Sequence, residues 1–192
     1  MQTPTRRWQV APPIPSDAAQ ALIEYPPILR QLLFNRGIQE AEAARTFLGA
    51  LPPANTDPWR MKGIPEAVAR IRRAIQDGES IIVYGDYDVD GVTATALLTQ
   101  VIGQLGGRVS GYIPNRFDEG YGLNTEALES LRSSGAALVI TVDCGIRSQA
   151  EAEYANAAGL DLVITDHHHP GEVIPPAVAV INPKQPGCQY PE

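Results

Sequence analysis

Three aspartates at alternate positions are the residues of this sequence whose types and spacing most clearly indicate chemistry. They are Asp86, Asp88 and Asp90. In an extended backbone this spacing would point the three carboxylates the same way, and crowded like charge is unfavourable unless a cation neutralises it. Mg²⁺ and Mn²⁺ bind carboxylate oxygens, often together with substrate phosphates. The segment therefore predicts metal-dependent phosphate chemistry.

The same segment has two alternative interpretations. Asp-x-Asp-x-Asp-Gly matches the start of a calcium-binding loop, which needs a bidentate Glu at its twelfth position. Counted from Asp86, that position is Leu97, inside an apolar helical segment, so the calcium loop fails. A solvated acidic turn remains the plain alternative.

Composition limits the classes of protein. A chain of 192 residues is long enough for one α/β domain with an appendage. With 15 basic and 22 acidic residues, a net charge of −7 argues against a protein that binds nucleic acid over its whole surface, although a local track is compatible. Two cysteines favour a reducing compartment. Without an apolar run of about 18 residues or a signal sequence, we expect a cytoplasmic protein with no membrane partner.

Hydrophobic periodicity predicts two regions. Prolines divide residues 1–62 into an N-terminal helical appendage with short helices at 16–23, 27–34 and 39–48. A helix follows at 65–76, where Arg70, Arg72 and Arg73 are predicted to be solvated. Strands are then predicted at 81–84, 109–113, 138–142, 161–165 and 178–181, and helices at 92–105, 124–133 and 148–157.

This alternation indicates an α/β fold with a five-stranded parallel doubly wound sheet, order 2-1-3-4-5, flanked by helices. Right-handed crossovers place the loops after strands 1, 3 and 4 together at one edge of the sheet. The polar residues on those loops are then expected to share one pocket. They are Asp88, Asp90, Asp143, Asp166, His167 and His168.

Each residue of this pocket also has a structural explanation. Asp143 could be a helix cap or a turn residue, and the three histidines could be a surface tract that scavenges metal. Carboxylate and imidazole ligands together suit Mn²⁺, with Mg²⁺ possible and zinc less suited. Two ions about 3.5–4 Å apart could be bridged by one aspartate, and Asp143 is central in the sheet order.

The motifs resemble a known family. Asp86-Tyr-Asp-Val-Asp-Gly91, Asp143-Cys-Gly145 and Asp166-His-His168 are similar in order and spacing to motifs I, II and III of the DHH phosphoesterases. Residues 84–95, 113–124 and 165–171 resemble the branch that degrades single-stranded DNA, and the likeness runs from about residue 20 to the end. It implies a 5′-to-3′ exonuclease that hydrolyses phosphodiester bonds with two Mn²⁺ or Mg²⁺ ions in DNA repair and recombination. A single-strand-binding protein or a helicase would be candidate partners.

The resemblance also implies roles for individual residues. The metal ligands would be Asp86, Asp88, Asp90, Asp143 and His167. His168 would face the scissile phosphate, so that His168 and Asp143 are the implied catalytic pair. Family members outside this branch carry a histidine where this chain has Tyr84, and Asp86 could compensate.

Motif IV, a further aspartate ligand, is expected after residue 192. Residues 63–192 would therefore be the first part of a DHH phosphoesterase domain, truncated before motif IV. Alone, residues 1–192 are expected to bind at most one Mn²⁺ well and to show little or no exonuclease activity.

The segment after strand 2 offers substrate contacts. Arg116 could bind a phosphate bidentately and Tyr121 could stack a base. Alternatively, Arg116 pairs with Asp118 or Glu119 and the tyrosine is packed. Other functions left open are an oligonucleotide or cyclic-dinucleotide phosphodiesterase of the same superfamily and a catalytically inactive replication scaffold.

Overall fold

The computed structural model describes residues 9–51, 57–115 and 122–190. The chain divides into two compact units, residues 1–55 and residues 56–192. The division comes earlier in the chain than the predicted limit at residue 62, because the short 3-10 helix Pro58–Arg60 belongs to the second unit and contacts the helix that follows it. The assignment of these units as an appendage and the first part of a larger domain stays a prediction.

Within its described residues, 9–51, the first unit contains three helices, α1 (Ser16–Ala21), α2 (Pro27–Phe34) and α3 (Ala41–Leu48). Proline at the first position of α2 suits a helix start, because that position has no intrahelical partner for its N–H. Leu22, Leu33 and Ala44 are buried and form a small core between the helices.

The second unit alternates strands and helices. Its elements are α4 (Ile64–Gln76), β1 (Ser80–Gly85), α5 (Val89–Gln104), β2 (Arg108–Tyr112), α6 (Thr125–Ser133), β3 (Ala136–Val142), α7 (Gln149–Ala157), β4 (Asp161–Thr165) and β5 (Ala179–Ile181). All five strands are parallel, in the order β2-β1-β3-β4-β5. The predicted fold class and strand order are confirmed.

Helices cover both faces of the sheet, which explains the continuous apolar runs of its strands. Successive residues of a strand point to opposite faces. Tyr84, Val139 and Leu162 pack with α6 and α7, whereas Val83 and Ile140 pack with α4 and α5. The central strands therefore have a core on either side.

The amino ends of two strands are tied together by Arg70 of α4. Its guanidinium donates to Glu79 at 2.6 Å, just before β1, and to Asp161 at the start of β4. Arg70 is buried, so the prediction that it is solvated is wrong.

Among the described residues, no helix is long and apolar enough to cross a membrane.

The register of the sheet brings three strand ends level. Gly85 of β1 pairs with Val142 of β3, and Val142 pairs with Thr165 of β4. The loops that follow these three residues therefore begin side by side, as predicted from the strand order.

Candidate metal centre

The loop after β1 combines a buried carboxylate with the start of α5. Asp86 is buried, and its Oδ1 accepts a hydrogen bond from the Tyr87 amide at 2.6 Å. Asp88 is the N-cap of α5, and its Oδ1 accepts from the Gly91 amide at 3.1 Å. Asp90 lies in the first helical turn. The expectation of three carboxylates along one extended segment is therefore wrong, because the helix begins at Val89 rather than at residue 92.

The chain can make this turn because residue 91 has no side chain. A Cβ on Gly91 would lie 2.5 Å from the carbonyl oxygen and 2.7 Å from the amide nitrogen of Asp86. Such contacts are with backbone, which cannot rotate away. Gly91 thus allows α5 to start directly against the Asp86 backbone and keeps the carboxylates of this loop together.

We expect Gly91→Ala to lower the free energy of unfolding by about 1–3 kcal/mol, as overpacking does, and to weaken Mn²⁺ binding because α5 must shift. The matched control is Gly103→Ala in the same helix, where a Cβ would meet only the Val109 side chain at 3.8 Å. The control should keep or slightly raise stability, since alanine favours helix more than glycine. Thermal unfolding and Mn²⁺ titration of both variants test this, and equal effects at the two positions would contradict it.

The loop after β3 places Asp143 in an uncommon backbone conformation. Its φ is +62°, which non-glycine residues rarely adopt, although Asp and Asn tolerate it best. The Asp143 amide donates to the Thr165 carbonyl at 3.0 Å, and Thr141 Oγ1 donates to the Cys144 carbonyl at 2.8 Å. Such outliers persist where neighbouring contacts fix them, often at functional sites.

Without a bound cation, the surroundings of Asp143 disfavour the ionised form of its carboxyl group. Burial, followed by the charges of Asp90 and Asp88, raises the pKa of Asp143 above its ordinary value. The pKa of Asp88 is lowered, first by the hydrogen bond from the Gly91 amide. A bound cation would offset the repulsion between Asp143 and the neighbouring carboxylates and would favour the ionised form of Asp143, as expected of a metal ligand.

The loop after β4 is organised by Asp166. The side chain of Asp166 is buried, and its Oδ1 accepts from the amides of His167 (2.7 Å) and His168 (2.9 Å) and lies 2.8 Å from His168 Nδ1. Its Oδ2 accepts from the Ile146 amide at 2.9 Å. Asp166 therefore joins the loops after β3 and β4 and leaves Nε2 of His168 as the nitrogen available to a ligand.

The side chains of these loops form two overlapping groups of possible ligands. Asp86, Asp88 and Asp143 each offer one atom within 4.8 Å of the others, and so do Asp143, His167 and His168. His167 Nε2 lies 2.9 Å from Asp143 Oδ1. Oxygen and imidazole donors in this proportion suit Mn²⁺ or Mg²⁺.

The structure places the other predicted site residues as follows. Asp90 is in neither group; it is 65% exposed, and its Oδ2 is 3.8 Å from His167 Nε2. Tyr84 is buried, and its hydroxyl donates to the Gly122 carbonyl at 3.0 Å. Asp86, two residues further on, belongs to one ligand group with Asp88 and Asp143. Arg116 and Tyr121 lie outside the described residues.

The family profile described as "DHH family, N-terminal domain" matches residues 80–190, more than half of the chain. The chain belongs to the DHH family. All three loops of the candidate centre lie within the matched residues, so the resemblance in the motifs is confirmed.

Curated relatives of this DHH chain are single-stranded-DNA-specific exonucleases RecJ. The chain is 45% identical over 188 residues to that of Bacillus subtilis, 40% over 178 residues to that of Escherichia coli and 37% over 178 residues to that of Thermus thermophilus. These alignments include 86–96% of this chain but only 24–30% of each relative. The chain thus spans less than a third of the length of these relatives.

Solved structures agree with this family. An exonuclease RecJ bound to manganese matches with a TM-score of 0.63 and 38% identity, over 70% of this chain and 34% of that one. RecJ from Thermus thermophilus in complex with Mn²⁺ matches with a TM-score of 0.62 and 32% identity, over 90% of this chain and 24% of that one.

Proposed function

We propose that this chain supplies catalytic residues of a metal-dependent 5′-to-3′ exonuclease that hydrolyses single-stranded DNA. The observation that carries the proposal is that Asp143 belongs to both ligand groups. One aspartate shared by two sets of oxygen and nitrogen donors is the arrangement expected of a bridged pair of ions. The RecJ relatives and the manganese-bound RecJ structures support this substrate and this metal.

The geometry supports the following ligand roles. Asp86 and Asp88, with Asp143, would hold one Mn²⁺ or Mg²⁺ ion. Asp143 and His167 would hold the second, and Asp90 is near enough to His167 to join them after a small side-chain movement. When bound, the ions supply a deprotonated water and neutralise charge on the phosphate.

The protein's own contribution is orientation. Asp166 fixes His168 through Nδ1, so that its other nitrogen can meet a phosphate oxygen of the substrate. The hydrogen bond from the Asp143 amide to the Thr165 carbonyl holds Asp143 in place. The loops after β1 and β4 carry the remaining proposed ligands. His168 and Asp143 are therefore the proposed catalytic residues, with His168 also a substrate-binding residue.

Further assignments belong to the same proposal. Arg116 would bind the 5′-terminal phosphate and Tyr121 would stack a base, on the strength of their place in the sequence. A role in DNA repair and recombination, a cytoplasmic location, and a single-strand-binding protein or helicase as partner are proposed with the function. Residues 63–192 would be the first part of the catalytic domain.

The proposal is tested with the natural full-length polypeptide on 5′-phosphorylated single strands carrying a label at either end. With Mn²⁺ or Mg²⁺, we expect the 5′ label to appear first as a mononucleotide, and EDTA to stop the reaction. Duplex DNA and a cyclic dinucleotide are the comparison substrates. Release from the 3′ end first, or faster cleavage of the cyclic dinucleotide, would contradict the proposed function.

A further inference from the structure

The residue after β5 brings a fourth strand end to the candidate metal centre. Thr165 of β4 pairs with Ile181 of β5, and the Asp166 amide donates to the Ile181 carbonyl at 3.0 Å. Asn182 follows directly and is therefore level with the start of the loop after β4. It is the first residue after its strand, as one aspartate is after each of β1, β3 and β4. None of the three motifs contains it.

The Asn182 side chain makes a hydrogen bond at each end of its carboxamide. Asn182 is fully buried. Its Nδ2 donates to the His168 carbonyl at 2.9 Å, and its Oδ1 accepts from the Lys184 amide at 2.7 Å. Because one neighbour is an acceptor and the other a donor, only this orientation of the carboxamide satisfies both. Burial of a polar group without such partners is unfavourable, so the two contacts fix the side chain.

His168 depends on hydrogen bonds for its orientation. Its side chain is 47% exposed, so packing restrains only about half of its surface. Asp166 Oδ1 accepts from the His168 amide at 2.9 Å and lies 2.8 Å from His168 Nδ1. Asn182 binds the carbonyl at the other end of the same residue. His168 is therefore held at its amide, its ring and its carbonyl.

We propose that Asn182 is a positioning residue, which holds the backbone of His168 so that Nε2 of His168 meets a phosphate oxygen of the substrate. This inference rests on the proposed function and adds the end of β5 to the elements that build the site. Displacing a group that contacts the reacting atoms by about 1 Å can cost about a hundredfold in rate. Asn182 thus affects hydrolysis although it belongs to neither ligand group.

Asn182→Ser in the full-length protein tests this inference, because serine can keep one of the two contacts. A serine hydroxyl can accept from the amide two residues further on, as Asn182 does from Lys184, but it is too short to reach the His168 carbonyl. We expect kcat to fall about 10- to 100-fold and Mn²⁺ affinity to stay at the wild-type value. Asn182→Ala, which loses both contacts, should slow hydrolysis at least as much.

The matched control is Gln185→Ala. Gln185 is a second buried carboxamide in the same turn, and its Nε2 donates to the carbonyls of Val180 at 2.7 Å and Lys62 at 3.2 Å. Its loss should lower the unfolding temperature about as much as Asn182→Ser does, because carbonyls lose a buried donor in both. The control should nevertheless keep a kcat close to that of the wild type. A purely structural role of Asn182 would give the two variants the same kcat.

A double-mutant cycle with His168→Ala shows whether Asn182 acts through His168. With enzyme in excess over substrate, Asn182→Ser should change the rate of His168→Ala by less than about twofold, because the ring that Asn182 positions is absent. A wild-type rate in Asn182→Ser, or its full effect in the His168→Ala background, would overturn the inference. Rates are measured on the phosphodiester that the wild type cleaves fastest. The proposed function is judged by release of the 5′ label, so the two can fail independently.

Discussion

Asp143→Asn is expected to lower exonuclease activity at least about a thousandfold, because the substitution removes the charge that two ligand groups share. Asparagine has nearly the same shape and tolerates the φ of +62° at this position, so the backbone should keep its conformation. Burial and the charges of Asp88 and Asp90 raise the pKa of Asp143, so the amide also removes repulsion. Without metal, the variant should therefore have an unfolding temperature no lower than that of the metal-free wild type.

Rate measurements, Mn²⁺ titration and thermal unfolding together decide this prediction. Asp77→Asn is the matched control, since Asp77 is an exposed residue at the carboxyl end of α4, before β1 begins. It should leave all three properties unchanged. Wild-type Mn²⁺ affinity in Asp143→Asn would remove Asp143 from the metal site.

Asp166→Asn is expected to have the second largest effect, on stability as well as on rate. Both carboxylate oxygens of Asp166 accept hydrogen bonds, from His167, His168 and Ile146. An asparagine side chain has one acceptor oxygen, and its NH₂ group would face a donor wherever it points. We expect a loss of about 2–3 kcal/mol in the free energy of unfolding, together with slower hydrolysis because His168 is no longer oriented.

The order of effects separates Asp166 from the proposed ligands. Asp166→Asn should weaken Mn²⁺ binding less than Asp143→Asn does, because Asp166 holds the loops and belongs to neither ligand group. Denaturant unfolding and Mn²⁺ titration of the two variants give this comparison. Wild-type stability and rate in Asp166→Asn would show that the loop keeps its form without the carboxylate.

The sheet and its order could be predicted because they depend on local signals. Continuous apolar runs indicate strands that are covered on both faces, and the handedness of crossovers leaves few topologies. The convergence of Asp143 with Asp86 and Asp88 follows from that topology, and the structure brings these residues together.

Features that depend on distant partners could not be predicted. The polar side of α4 suggests a solvated Arg70, but its partner Asp161 lies 91 positions away and buries it. The early start of α5 is a local feature that the apolar run alone does not indicate, because it depends on Asp88 as N-cap and on the contact of Gly91 with Asp86. The role of Asp166 rests on the Ile146 amide, 20 positions away, which no motif indicates.

The central claim, that Asp143 bridges two ions, is tested most directly by electron paramagnetic resonance of the Mn²⁺-loaded full-length protein. Two Mn²⁺ ions about 3.5–4 Å apart on a shared carboxylate are magnetically coupled. We expect the wild type to give the spectrum of a coupled pair and Asp143→Asn to give only isolated Mn²⁺. A wild-type spectrum of isolated Mn²⁺ at saturation would contradict the bridge.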